Sequence, residues 1–205
     1  MTAAASVHEE PAKSYELRVP LFQSIFEPFD PERRYVVLDL GPARSGLIEL
    51  LVGLRCRLDV IGLPDMLGHL QSLEEPERIR QAIKASLPPP RGEFVNVVLG
   101  WNLLNYLDDE RIQVLAQALK SRLAPGACLH ALIEYSSRHM PAVPGMMTPR
   151  DAGNLLVEPD ENDGLIDTPR YARARLEAAL PGMRAEQTML LGNGMQEYLF
   201  RFSTS

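Results

Sequence analysis

Arg34–Gly46 reads RYVVLDLGPARSG, and the rest of the chain is best read outward from it. Tyr35–Leu40 is an apolar run interrupted only by Asp39 and rich in β-branched and large apolar residues, as expected of a strand buried on both faces. Gly41 is the first place where the backbone can turn sharply, and the turn feeds a helix expected over Ser45–Leu54. A buried strand, a small-residue turn and a helix form the opening unit of an alternating α/β domain with a parallel sheet.

Downstream the alternation continues. Cys56–Leu63 (CRLDVIGL) predicts a second strand, with Pro64 starting a new turn. Pro76–Leu87 carries Ile79, Ile83 and Leu87 at helical spacing before the prolines at 88–90. Phe94–Leu99 (FVNVVL) predicts a further strand, followed by the loop-like WNLLNYL. Asp108 is placed to cap the next helix, with Asp109 and Glu110 in its first turn and Ile112, Leu115, Leu119 and Leu123 along one stripe. Pro125-Gly126 ends that helix, and Ala127–Tyr135 (ACLHALIEY) reads as another buried strand. Thr168-Pro169 is expected to open a last helix, before closing strands near Ala185–Leu191 and Glu197–Phe202 joined through GNGMQ. The sum is a mostly parallel sheet with a C-terminal antiparallel hairpin.

Two segments stand outside this pattern. Residues 1–18 form an expected flexible tail, because MTAAASVHEEPAKS has neither a basic start nor a continuous apolar core. Residues 136–167 form an insert or lid within the single domain expected over 19–205. That insert pairs the adaptable apolar stretch MPAVPGMM with the acidic stretch EPDENDG. Val19–Phe29 (VPLFQSIFEPF) places Leu21, Phe22, Ile25 and Phe26 on one helical face, suited to packing over the sheet or rimming a cleft.

Composition limits the partners. The 205 residues are 45% hydrophobic with a formal charge of −6, enough for a sizeable core and opposed to a phosphate-neutralising surface. No nucleic-acid or membrane partner is expected. Cys56 and Cys128 lie in apolar runs and form no CxxC pair, so two thiols in a reducing cytoplasm are expected, with no metal. There is no GxSxG, GxxxxGK[ST] or HExxH pattern, and GPARSG departs from the GxGxxG of nicotinamide enzymes.

Three blocks at matching spacing resemble class I S-adenosylmethionine (SAM)-dependent methyltransferases, over roughly residues 34–203. VVLDLGPARSG resembles the first motif, FVNVVLGWNLLNYLDDERI the fourth strand and its loop, and LKSRLAPGACLHALIEY the helix, PG turn and fifth strand. The resemblance implies a Rossmann-like, doubly wound α/β fold with SAM as cofactor. It brings Asp39, Gly41, Pro42, Ala43 and Gly46 to the methionine part, and Trp101, Asn102 and Leu103 to the adenine or methionine side.

The chain departs from that pattern at three points. Pro42-Ala43-Arg44-Ser45 stands where the family usually has glycine. Ile61 or Gly62 stands where the family has the acid that binds the ribose hydroxyls, leaving Asp59 and Asp65 as candidate substitutes. Lys84–Arg91 (KASLPPPR) carries neither the family's short third strand nor its acid near the adenine.

Two functions compete for the same residues. The first is methyl transfer to a small or medium-sized acceptor, or to a protein, with Glu134 and Tyr135 at the end of the fifth strand and His139 at the start of the insert as candidate bases. The second is a binding or scaffolding protein whose pocket is filled by its own side chains, such as Arg44 or Ile61, and which forms a homodimer through the GNGMQEYLF hairpin. His130, His69 and His8 have no metal-ligand partner at useful spacing, and His130 and Tyr198 read as core residues.

Overall fold

A computed structural model describes residues 14–89, 91–159 and 164–203. In chain order the elements begin with β1 (Tyr15–Arg18), α1 (Pro20–Phe26), β2 (Tyr35–Asp39), α2 (Ser45–Leu51) and β3 (Cys56–Val60). A 3₁₀ turn (Leu63–Met66) leads to α3 (Leu67–Ser72), α4 (Pro76–Ser86) and β4 (Val95–Leu99). A second 3₁₀ turn (Leu103–Tyr106) precedes α5 (Asp109–Lys120) and β5 (Leu123–Glu134). The insert holds β6 (His139–Pro141), β7 (Met146–Pro149), β8 (Asn154–Glu158) and β9 (Leu165–Asp167), and α6 (Arg173–Ala179), β10 (Met183–Leu190) and β11 (Met195–Phe202) close the chain.

Six strands form the central sheet in the order β10-β11-β5-β4-β2-β3. The pairs β3–β2, β2–β4 and β4–β5 are parallel, and β11 and β10 add antiparallel. All five residues of β2 are buried, because the sheet is covered on both sides. Val36, Leu38 and Val98 pack with α3 to α6 on one side, and Val37, Val97 and Leu99 pack with α1 and α2 on the other. This is the mostly parallel sheet expected from the alternation, in the doubly wound α/β architecture that the resemblance implies. Asp108 caps α5 as its sequence suggests, Oδ1 accepting from Arg111 N at 2.8 Å.

Several boundaries differ from expectation. The tail does not extend to residue 18, because Tyr15–Arg18 pair antiparallel with residues 154–157 of β8. The insert is not an irregular loop. β7 and β8 join β1 in a three-stranded sheet over the α1 and α2 side, and β6 pairs with β9. Residues 160–163 of the acidic stretch, and His8 in the tail, lie outside the described residues. Thr168-Pro169 does not open α6, because Thr168 N donates to Arg138 O at 2.9 Å and prolongs the β6–β9 pairing. Leu123 belongs to β5 rather than to the α5 stripe. In keeping with the sequence, no strand forms between α4 and β4 among the described residues, which leaves β3 as one edge of the sheet. The closing hairpin turns β10 outward, so the segment Met195–Phe202 is interior rather than an edge.

Among the described residues, no helix is long and apolar enough to cross a membrane.

Candidate functional site

The strand order reverses between β2 and β4, the place where open α/β sheets leave a crevice at their carboxyl ends. Hydrogen bonds carry the chain into that crevice beyond the strands themselves. Ile61 N donates to Asp39 O at 2.9 Å and Gly62 N to Gly41 O at 3.0 Å, so the turn after β3 runs beside GPARSG. Leu132 N donates to Trp101 O at 2.7 Å, which ties the segment after β4 to β5. Asn105 completes the tie, its amide donating to Leu132 O and Asn102 O at 2.9 and 2.8 Å.

The result is a cleft of about 230 Å³. Pro42 and Arg44 form one wall, Asp65 another, and Trp101, Asn102 and Leu103 a third. The insert closes it with Val143–Met146, steadied where Tyr106 OH donates to Val143 O at 3.1 Å.

Behind the wall lies a fully buried carboxyl. Asp39 Oδ1 accepts from Gly41 N at 2.8 Å and from Trp101 Nε1 at 2.5 Å, while Oδ2 has no hydrogen-bond partner. Burial raises its pKa above the ordinary carboxylate value, against the opposing pull of the Trp101 hydrogen bond, the Arg44 charge and the Gly41 amide. Arg44 is only 7% exposed. Its guanidinium carbon lies 4.6 Å from the Trp101 ring centroid, and Nε and Nη1 have no partner. Burial lowers its pKa, and the Asp39 charge resists that shift. A Cβ at Gly41 would overlap Arg44 Nη2, so the guanidinium rests directly on the turn.

A second buried network fixes the cleft from below. Glu197 accepts from Phe22 N at 2.7 Å and Leu21 N at 3.0 Å, satisfying two free amides at the start of α1. His130 Nε2 lies 2.9 Å from the same carboxylate, and with both carboxylate oxygens accepting backbone amides the ring donates there. The Phe22 ring, held by that anchor, packs between Trp101 and His130 at centroid distances of 5.6 and 5.3 Å.

No family model and no curated protein matches the sequence. Solved structures do match the fold. The 1,6-didemethyltoxoflavin-N1-methyltransferase of Burkholderia thailandensis, solved with S-adenosylhomocysteine, aligns at a TM-score of 0.51 and 16% identity, covering 90% of this chain and 77% of that one. The chain has the class I methyltransferase fold. The N-methyltransferase NodS of Bradyrhizobium japonicum, also solved with S-adenosylhomocysteine, aligns at 0.47 and 13% identity, covering 90% and 87% of the two chains.

On this methyltransferase fold the expected site residues divide into three groups. Pro42, Asp65, Trp101, Asn102 and Leu103 line the cleft together. Asp39 and Gly41 stand behind its wall, and Ala43 is exposed beside it. Gly46 meets β7 instead, where a Cβ would overlap the Pro149 carbonyl oxygen. Asp59 is a correction. It projects from the other face of the sheet, 3.2 Å from Arg57 Nε, into a separate cavity of about 350 Å³ that also borders Glu93 and Arg122. Strand alternation puts it on the side of Leu38, away from the cleft. Ile61 also packs with that opposite core rather than filling the cleft.

The three candidate bases lie outside the cleft lining. Glu134 is half-buried, its backbone N donates to Asn105 Oδ1 at 2.9 Å, and burial raises its carboxyl pKa. Tyr135 is exposed, and His139 stands on β6 with Nδ1 3.2 Å from Asp167 Oδ1. Among the described residues no group of three His, Cys, Asp or Glu side chains could hold a metal ion. Sequence reasoning missed the anchoring role of Glu197. The available signal was a lone acid in MQEYLF facing a lone histidine in CLHALIE, both within apolar strands.

Proposed function

We propose that the cleft is a SAM site and that the chain transfers a methyl group to a small or medium-sized acceptor. What carries this reading is the convergence of the turns after β2, β3 and β4 on one cleft at the switch point of a methyltransferase fold. Bound there, SAM supplies an electrophilic methyl on a sulfonium. The chain's own contribution is to bind, orient and exclude water. Asp65 and Asn102 offer polar contacts at the mouth and floor, and Trp101 and Leu103 an apolar bed. The lid residues Val143 and Met146 suit an acceptor with apolar surface. Glu134, Tyr135 and His139 remain the candidates to take up an acceptor proton, Glu134 being tied to the segment after β4 through its backbone bond to Asn105. The free thiols of Cys56 and Cys128 support a cytoplasmic setting.

Arg44 decides whether SAM fits. Turning it outward gives up a cation–π contact worth about 0.5–2 kcal/mol. It also weakens the attraction to the Asp39 carboxyl, but returns to water two N–H groups whose burial without a partner costs about 1–3 kcal/mol each. Losses and relief oppose each other, so the side chain is a movable cover.

A second reading, a non-catalytic binding protein, is favoured by one observation. With Arg44 seated on Gly41, the cleft of about 230 Å³ is below the roughly 300–1,000 Å³ usual for ligand pockets. Calorimetric titration of the wild-type chain and Arg44→Ala with SAM separates the readings. Binding by both supports the enzyme, and binding by the variant alone supports a permanently filled pocket.

A further inference from the structure

We propose that the cavity of about 350 Å³ beside β3 is a second binding site, built for a small aromatic carboxylate. It lies toward the amino ends of β4 and β5, bordered by Leu38 and Val95 of the sheet, Lys84 in the last turn of α4, and Ala118 and Arg122 from α5 and the turn after it. It shares no lining residue with the cleft at the carboxyl ends of the strands. Its volume falls within the roughly 300–1,000 Å³ usual for ligand pockets.

The walls are tied to one another. Among the described residues no strand adds beyond β3, and α4 gives way to the prolines at 88 and 89. The Arg122 guanidinium donates to Pro88 O and holds that segment against the turn after α5. Val95 N donates to Arg122 O at 2.7 Å, which joins the same turn to the start of β4. Hydrogen bonds therefore keep the two sides of the cavity in place.

Charge selects the ligand. Four cations border the cavity, Arg57, Lys84, Arg91 and Arg122, against the two carboxylates of Asp59 and Glu93, in a chain whose formal charge is −6. Both carboxylates are already engaged. Asp59 Oδ2 lies 3.2 Å from Arg57 Nε, Glu93 Oε1 lies 2.8 Å from Arg34 Nε, and Glu93 Oε2 meets Arg57 Nη1. Lys84 and Arg91 have no carboxylate partner among the described residues. The uncommitted charge is positive, and an arginine fork takes a carboxylate through two parallel bonds. The helix ends nearby are the carboxyl ends of α4 and α5, whose carbonyls oppose a multiply charged phosphate, so a singly charged head group fits better.

The rest of the lining is apolar and suits a ring. Leu38 and Val95, both buried, form the floor. Phe94 is 59% exposed at the start of β4 and, with Pro88 and Pro89, offers a platform at the mouth. An exposed phenyl ring beside uncommitted cations matches an aromatic ring that carries an acid group.

Calorimetric titration of the wild-type chain with indole-3-acetate, its neutral counterpart indole-3-acetamide and inorganic phosphate tests the assignment. Saturable binding of the acid is expected, about tenfold or more tighter than the amide, the factor that one charge-assisted hydrogen bond supplies. Phosphate, which has no ring, is expected to bind more weakly than the acid. Lys84 and Arg91 are exposed, so the double variant Lys84→Ala, Arg91→Ala keeps the fold and is expected to weaken the acid about tenfold or more. Phe94→Ala is expected to weaken acid and amide alike. Arg44→Ala, which alters the other cleft, is expected to leave the acid's affinity unchanged. No saturable binding by the wild type overturns the proposal. Equal affinities for acid and amide, phosphate binding as tight as the acid, or binding that depends on Arg44 rather than on Lys84 and Arg91 overturn it as well.

Discussion

Arg44 stacks on Trp101 at 4.6 Å, joining the turn after β2 to the segment after β4 across the cleft. The two partners are held very differently. Trp101 is clamped, with its indole N–H on Asp39, its ring against Phe22, its carbonyl on Leu132 and a backbone φ of 48° that few non-glycine residues adopt. Arg44 has no hydrogen bond at Nε or Nη1. A rigid ring beneath a loosely held cation makes Trp101 part of the permanent floor and Arg44 its cover.

Asp39 makes stability depend on pH in a specific direction. Its pKa is raised in the folded chain, so the native state holds the proton more tightly than the unfolded state. The resulting stabilisation is complete below the unfolded value of about 3.9 and is lost as pH rises through the folded value. Asp39→Asn does not titrate. Denaturant unfolding of both proteins across the acid range is expected to show the wild type losing ground to Asp39→Asn as pH rises. Glu134 shifts in the same direction but is common to both proteins, so it cancels. A difference that stays flat, or reverses, contradicts this account.

Glu197 is predicted to be the anchor of α1. Glu197→Ala leaves the amides of Leu21 and Phe22 and the His130 ring without their acceptor in the core, at a cost of about 2–5 kcal/mol. Hydrogen exchange at the Leu21 and Phe22 amides should accelerate before any other part of the sheet is exposed. Unchanged protection there would show that α1 is held by packing alone.

The parts of this fold legible in the sequence are those set by local physics. The buried run of β2, the capped helix α5 and the GNGMQ turn each carry their signal within a dozen residues. The unreadable parts depend on distant partners. β1 exists because Tyr15 meets Val157, and strands of three to five residues in the insert have no periodicity of their own. In the site, the turn after β2 marked the cleft, but only register shows that Asp59 shares a face with Leu38 and that Asp65 reaches the wall. The seat of Arg44 is likewise a matter of side-chain packing, invisible in GPARSG.

Gly46 tests the attachment of β7. In Gly46→Ala the new methyl overlaps the Pro149 carbonyl oxygen and lies about 3.0 Å from Thr148 Cγ2, so β7 must move. Overpacking of this kind costs about 1–3 kcal/mol. Limited proteolysis is expected to cut the insert faster in the variant at equal global unfolding. Equal cutting rates would mean that β7 is held chiefly by β8.

The central claim rests on SAM entering a cleft that Arg44 covers. The measurement that tests it most directly is isothermal titration of the wild-type chain with SAM, run in parallel with Arg44→Ala. The account predicts saturable binding of SAM to the wild type at micromolar concentration, with binding to Arg44→Ala of equal or greater strength. No heat and no change in melting temperature with the wild type at saturating SAM would contradict it.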